Sequence, residues 1–139
     1  MFLQAYEQAK DVDVSFYRIE RVMNEPHVSF KVDFKGELVQ GIAGPYRQFF
    51  SDISSELQPK DIKIKKALKL LIPSKNNQDQ KGDFKDKYVL NPGYNSNTAL
   101  NHYELLGIIM GICIRTGVHL TLDLCSIVWK KIVKLMLKH

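Results

Sequence analysis

The fold is decided by one stretch, residues 97–117, which reads NTALNHYELLGIIMGICIRTG. Its apolar residues recur three and four positions apart and cover most of a helical circumference, which predicts a long central α-helix. Asn97 or Thr98 can cap its beginning, and Gly117 can end it. Each glycine inside it costs about 1 kcal/mol relative to alanine, so we expect another backbone segment to pack against Gly107.

Two short apolar runs before this helix predict a β-hairpin. Residues 70–72 end at Pro73, and residues 88–90 are followed by a turn-forming Asn-Pro-Gly sequence. The stretch between them, residues 74–87, is rich in Lys, Asn, Gln, Asp and Gly. This composition predicts a mobile loop.

The clearest predicted strand lies further upstream, where residues 28–35 alternate between apolar and polar side chains. The helical spacing of apolar residues predicts further helices at 2–9, 16–23, 45–57 and 127–137. An extended connection, residues 118–124, precedes the last of these helices. The expected fold class is α+β, mainly helical, with a long central helix and a few short strands in a hairpin.

Length and composition exclude several classes of protein. The 139 residues, 45% hydrophobic and 25% charged, are typical of one soluble globular domain. Two cysteines cannot build a disulfide framework, and the first residues lack a secretory signal pattern, so we expect the cytoplasm or the nucleus. The longest apolar run, residues 105–114, is too short to span a bilayer.

The formal net charge of +5 permits acidic partners. Lysines concentrate in residues 60–69 and in the last helix. Because neither stretch interleaves aromatic residues that could stack on bases, solvated faces are favoured over binding of nucleic acid or anionic lipid. A stand-alone, non-catalytic module that binds through this basic surface is the alternative function.

The side chains give little sign of catalysis. Cys113 and Cys125 are the only thiols, and both are expected to be small core residues. Cys125 lies near a helix start, six residues after His119, which is the remaining argument for a nucleophile. The histidines show no metal-site spacing, and His102 is expected at the surface or at a cap. No phosphate loop or nucleophile elbow occurs, so no catalytic residue, cofactor or metal is predicted.

A motif in the long helix carries a resemblance to a known family. Tyr103, Leu106-Gly107, Gly111, Ile114 and Gly117 follow the spacing F-x2-L-G-x3-G-x-A-I-x2-G. The chain resembles the large subdomain of the N-terminal lobe of a HECT-type ubiquitin ligase domain, closest to the large HERC-like branch. Cys113 stands where that family usually has alanine, which supports a packing role.

Other residues match the family pattern outside this helix. The matching residues are Gly36 and Glu37 at the end of the predicted strand, Gly44 and Arg47 at a helix start, Pro92, and Trp129. The family's acid is replaced by Gly41, its first glycine by Ala43, and the glutamate after the arginine by Gln48.

The resemblance implies that residues 1–139 are a partial HECT domain. The family's catalytic cysteine lies in a separate C-terminal lobe, after a small subdomain that docks the ubiquitin-conjugating enzyme, and both would follow His139. We therefore expect an inactive, truncated fragment. The intact protein would pass ubiquitin from the conjugating enzyme to its own cysteine and then to substrate lysines.

The resemblance and the last helix each add one expectation about partners. Some related ligases hold ubiquitin on a surface near one strand of the lobe, and the segment around Tyr88 resembles that strand. In the last helix, Trp129, Met136 and Leu137 belong to an apolar face that we expect to be partly exposed. Such a face predicts a frayed C-terminus or a two-fold dimer or lattice contact built on residues 127–137.

Overall fold

The computed structural model describes residues 1–18, 28–36, 41–59 and 68–136. Residues 135 and 136 are described by their backbone alone. This part of the chain is mainly helical with one two-stranded sheet, which confirms the predicted α+β class. The elements in chain order are α1 (Phe2–Ala9), a 3₁₀ helix (Val14–Tyr17), α2 (Ala43–Leu57), β1 (Leu71–Pro73), α3 (Lys75–Asp79), β2 (Tyr88–Leu90), α4 (Asn97–Thr116) and α5 (Ser126–Met136).

The longest helix, α4, has the predicted bounds. The predicted cap at Asn97 or Thr98 is wrong: the N-cap is Ser96, whose hydroxyl accepts a hydrogen bond from the backbone N–H of Ala99 at 3.2 Å. This bond satisfies an N–H that has no partner within the helix. At the other end Gly117 has a φ of 70°, and its N–H donates to the carbonyl of Cys113 at 2.9 Å, as predicted.

One face of α4 is buried, so the predicted burial around its circumference is wrong. The buried residues of α4 are Ala99, His102, Leu105, Leu106, Ile109, Ile112 and Cys113. Leu100 and Ile114 are exposed, at 57% and 78%. Within the described residues, nothing covers that second face well enough to bury these two apolar side chains.

The close backbone approach predicted at Gly107 is also wrong for the described residues. Gly107 is exposed, and a Cβ added there or at Gly111 would meet no neighbouring heavy atom within 4 Å. Both glycines lie toward the open side of α4. A leucine at position 107 would therefore meet open space rather than overpack a core.

The helix α2 supplies a second row of core side chains. It begins two residues before Pro45, which occupies the first turn, where the missing N–H breaks no helical hydrogen bond. The largest side chains with less than 2% exposure are Tyr46, Phe2, Phe50, Ile53, Leu57 and Leu70. Burying an apolar side chain of this size contributes about 1.5–3 kcal/mol, so this cluster anchors α1 and α2 on α4.

The predicted hairpin is confirmed. Strands β1 and β2 pair antiparallel, with Ile72 opposite Val89 at the centre. The strand β1 is shifted by one residue from the prediction, beginning at Leu71 and including Pro73. Proline is tolerated there because β1 is an edge strand of this sheet.

The connection between the strands, residues 74–87, contains a short helix that its composition did not predict. The Ser74 hydroxyl caps α3 by accepting a hydrogen bond from the N–H of Asn77 at 3.2 Å. The helix ends at Gln80, which adopts the left-handed conformation with a φ of 51°. The mobility of residues 74–87 stays a prediction.

The strand predicted at residues 28–35 is wrong for the residues described, because this segment pairs with no other strand there. Its alternation is nevertheless real, since Phe30, Val32 and Phe34 are half-buried between exposed polar neighbours. The ring of Phe30 lies 5.2 Å from that of Tyr46 on α2. Alternating burial needs only a surface on one side, and a helix provides that surface as well as a sheet does.

The last helix, α5, begins at Ser126, one residue before the predicted start. Val128 is buried, whereas Ile127, Trp129 and Val133 are 61%, 39% and 53% exposed. The expected exposure is confirmed for Trp129. The side chains of the residues from 135 onward lie outside what the structure describes.

Two predicted segments lie mostly outside the described residues: the helix at 16–23 and the lysine-rich stretch at 60–69. The helix predicted at the start of the chain is confirmed as α1. In the described ranges, no helix combines the length and the apolar character that crossing a bilayer requires.

Candidate functional site

The chain that follows α4 extends the small sheet on the β2 side. The backbone N–H of Tyr88 donates to the carbonyl of Asp123 at 2.7 Å, and the N–H of Cys125 donates to the carbonyl of Tyr88 at 2.9 Å. Tyr88 and Leu124 thus form a parallel bridge. The predicted extended connection between α4 and α5 is therefore attached to the hairpin.

The side chain of Tyr88 is buried at this junction, with 7% exposed. Its hydroxyl lies 3.3 Å from the carbonyl of Gln58 and 3.2 Å from that of Pro59, the two residues that follow α2. Burial raises the pKa of Tyr88, and the negative charge of Asp123 adds to the rise. The phenol stays protonated and ties the end of α2 to the hairpin.

Gln58 joins α2 to the extended connection with both ends of its amide. Its Nε2 donates to the carbonyl of Thr121 at 2.7 Å and to that of Ser54 at 3.2 Å, and its Oε1 accepts from the N–H of Asp123 at 2.5 Å. This role of Gln58 was not predictable from the sequence, because Thr121 and Asp123 lie 63 and 65 positions away along the chain. A glutamine after the last apolar residue of a helix carries no local signal of such a role.

Lys87 adds a charged contact at the same junction. Its Nζ lies 2.6 Å from Oδ2 of Asp86 and 3.0 Å from Oδ1 of Asp123. The hydrogen bond to Asp86, and secondly the one to Asp123, raise the pKa of Lys87. The hydrogen bond between Lys87 and Asp86 also lowers the pKa of Asp86. Because all three side chains remain partly exposed to water, the ion pairs contribute little to stability and mainly orient the side chains.

A polar cleft of about 1070 Å³ opens beside this junction. Arg47 and Gln58 line it from α2, Lys85 from the segment after α3, and His119 and Asp123 from the extended connection. Such a lining can hydrogen-bond to a polar peptide surface. Within the described ranges no group of three metal-ligating residues occurs, and no hydrogen bond joins His119 to a serine.

The two cysteines lie in different environments. Cys113 is buried on α4, and burial raises the pKa of its thiol to about 12. The thiol is therefore protonated at neutral pH. Its place in the hydrophobic core cluster confirms the core role predicted for it. Cys125 is half-buried, and its backbone N–H belongs to the bridge with Tyr88. The core role of Cys125 stays a prediction.

The surface position expected for His102 is wrong. His102 is buried, with 4% exposed, and its Nδ1 lies 2.8 Å from the hydroxyl of Tyr94. The rings of Tyr6 and Phe2 on α1 meet the imidazole edge-on, with centroids 4.5 and 6.1 Å away. Burial lowers the pKa of His102, which favours the neutral ring. Its helical spacing to Leu106 was the signal for a core position.

The motif residues of α4 have different environments. Leu106 belongs to the core, Gly107 and Gly111 lie toward the open side of the helix, and Gly117 caps it. Trp129, the motif residue of α5, is partly exposed. Tyr103, also a motif residue, donates its hydroxyl to the carbonyl of Leu70 at 2.8 Å. Among the described residues, contacts thus explain Tyr103, Leu106 and the capping Gly117.

The upstream motif residues lie around α2 and the hairpin. Gly36 has a φ of 91°, a conformation that favours glycine, and Glu37 lies outside the described residues. Gly44 and Arg47 lie near the start of α2, and Pro92 is exposed in the turn after β2. The structure brings three of the singled-out residues to the polar cleft: Arg47, Tyr88 and Gly117.

The chain matches the family model described as HECT-domain (ubiquitin-transferase) over residues 37–138. The chain belongs to the HECT-domain family. The match includes α2, both strands, α4 and α5, so the elements that build the cleft are family elements.

Three curated proteins illustrate the relationship. The mouse E3 ubiquitin-protein ligase HERC2 is 36% identical over 112 residues, and human HERC2 is 35% identical over 112 residues. Each alignment covers 81% of this chain and 2% of the relative. Human HECTD4, a probable E3 ubiquitin-protein ligase, is 33% identical over 133 residues, 95% of this chain and 3% of its own length. No solved structure matches the chain.

Proposed function

We propose that this HECT-domain chain is a non-catalytic, structural part of a ubiquitin-protein ligase. The full-length protein transfers ubiquitin from a conjugating enzyme to a catalytic cysteine outside residues 1–139, and from there to substrate lysines. The family match over residues 37–138 carries the proposal. The buried thiol of Cys113 supports it, because a protonated thiol inside the core cannot accept ubiquitin.

The proposed partners are a ubiquitin-conjugating enzyme and ubiquitin, both engaged through the complete HECT domain, together with protein substrates. Nucleic acid, membrane and cofactors have no part in the proposal, and the proposed location is the cytoplasm or the nucleus. The alternative of a stand-alone basic module gains no support from the described residues. Most of residues 60–69, on which it depends, lies outside them.

A thioester assay tests the transferase proposal. The full-length protein, incubated with ubiquitin-charged conjugating enzyme, is expected to give a ubiquitin adduct on a non-reducing gel that disappears on reduction. The 139-residue chain is expected to give none. The control is full-length protein carrying Cys113→Ala, which should keep its adduct. An adduct on the isolated chain that Cys113→Ala or Cys125→Ala removes would contradict the proposal.

We also propose a non-covalent ubiquitin contact beside Tyr88. The Tyr88 ring is buried, but Leu90 at the end of β2 is 45% exposed and offers an apolar contact. Titration with ubiquitin is expected to shift the backbone NMR signals of residues 88–90, and Leu90→Asp should abolish the shifts. Phe84→Ala, at an exposed position in the neighbouring loop, is the matched control. Unchanged signals at residues 88–90 would remove this contact.

The dimer predicted through α5 remains a prediction. The exposed side chains of Ile127, Trp129 and Val133 support it, because apolar groups at a surface favour association. Sedimentation velocity over a range of concentrations measures it directly, and a strict monomer would rule it out.

A further inference from the structure

We draw no further inference here: the strongest candidate, the face of α4 on which the exposed side chains of Leu100 and Ile114 flank Gly107 and Gly111, lies open among the described residues, and nothing in the structure shows what covers it.

Discussion

Replacing Gln58 with methionine tests how the end of α2 is held to the connection between α4 and α5. Methionine has nearly the same length and shape but neither donor nor acceptor of comparable strength. The substitution removes the 2.7 Å bond to the carbonyl of Thr121 and the 2.5 Å bond from the N–H of Asp123. The third bond, to Ser54, lies within α2 itself and does not join elements.

The magnitude follows from these two long-range bonds. Each net hydrogen bond contributes about 0.5–1.5 kcal/mol, so the free energy of unfolding should fall by about 1–3 kcal/mol. The N–H of Asp123 is partly buried, which favours the upper half of this range because water does not replace the lost acceptor freely. In urea, with a slope of about 2 kcal/mol per molar, a loss of about 2 kcal/mol lowers the midpoint by about 1 M.

The matched control is Gln48→Met on the same helix. Among the described residues, the amide of Gln48 bonds to Asp52 alone, one turn away on the exposed surface, so its loss should cost less than about 0.5 kcal/mol. Equilibrium unfolding in urea, followed by circular dichroism, measures both variants. Equal midpoints for the Gln58→Met and Gln48→Met variants would refute the claim that Gln58 joins α2 to the connection.

Three further predictions concern other parts of the core and α4. Because burial raises the pKa of the Cys113 thiol to about 12, iodoacetamide at neutral pH should label Cys125 first, and Cys113 only in denaturant; mass spectrometry of the labelled peptides checks the order. Burial lowers the folded-state pKa of His102 below 6.5, so the unfolded chain binds more protons in acid. The free energy of unfolding should therefore keep its full value above pH 6.5 and decrease as the pH falls below 6.5. The variant His102→Gln should show a smaller decrease, and urea unfolding at pH values on either side of 6.5 measures it. Gly107→Ala should stabilise the chain by about 0.5–1 kcal/mol and raise the melting temperature, because alanine favours the helix and its Cβ would meet no neighbouring atom within 4 Å. A lower melting temperature would show that the added Cβ does meet a neighbour.

The elements with strong local signals were predicted well. The helix α4 has its expected bounds because helical periodicity and the left-handed preference of Gly117 both act within a few residues. The pairing of β1 with β2 was also predictable, since both strands are short apolar runs separated by a polar connection. In contrast, the burial of His102 depends on aromatic rings of α1, about one hundred residues away. The four-residue spacing of His102 to Leu106 is the local sign of a core position, but it does not identify the rings that cover the imidazole.

The sequence by itself determined the family, the positions of most described helices and the core position of Cys113, because these depend on residue type and local spacing. Tertiary structure decided which face of each element is covered. It buried one side of α4 and left Gly107 open, and it placed residues 28–35 against a helix instead of in a sheet. It also made Gln58 a link between distant segments. Periodicity shows that a face is apolar, but only the arrangement of neighbouring elements determines whether that face meets core or solvent.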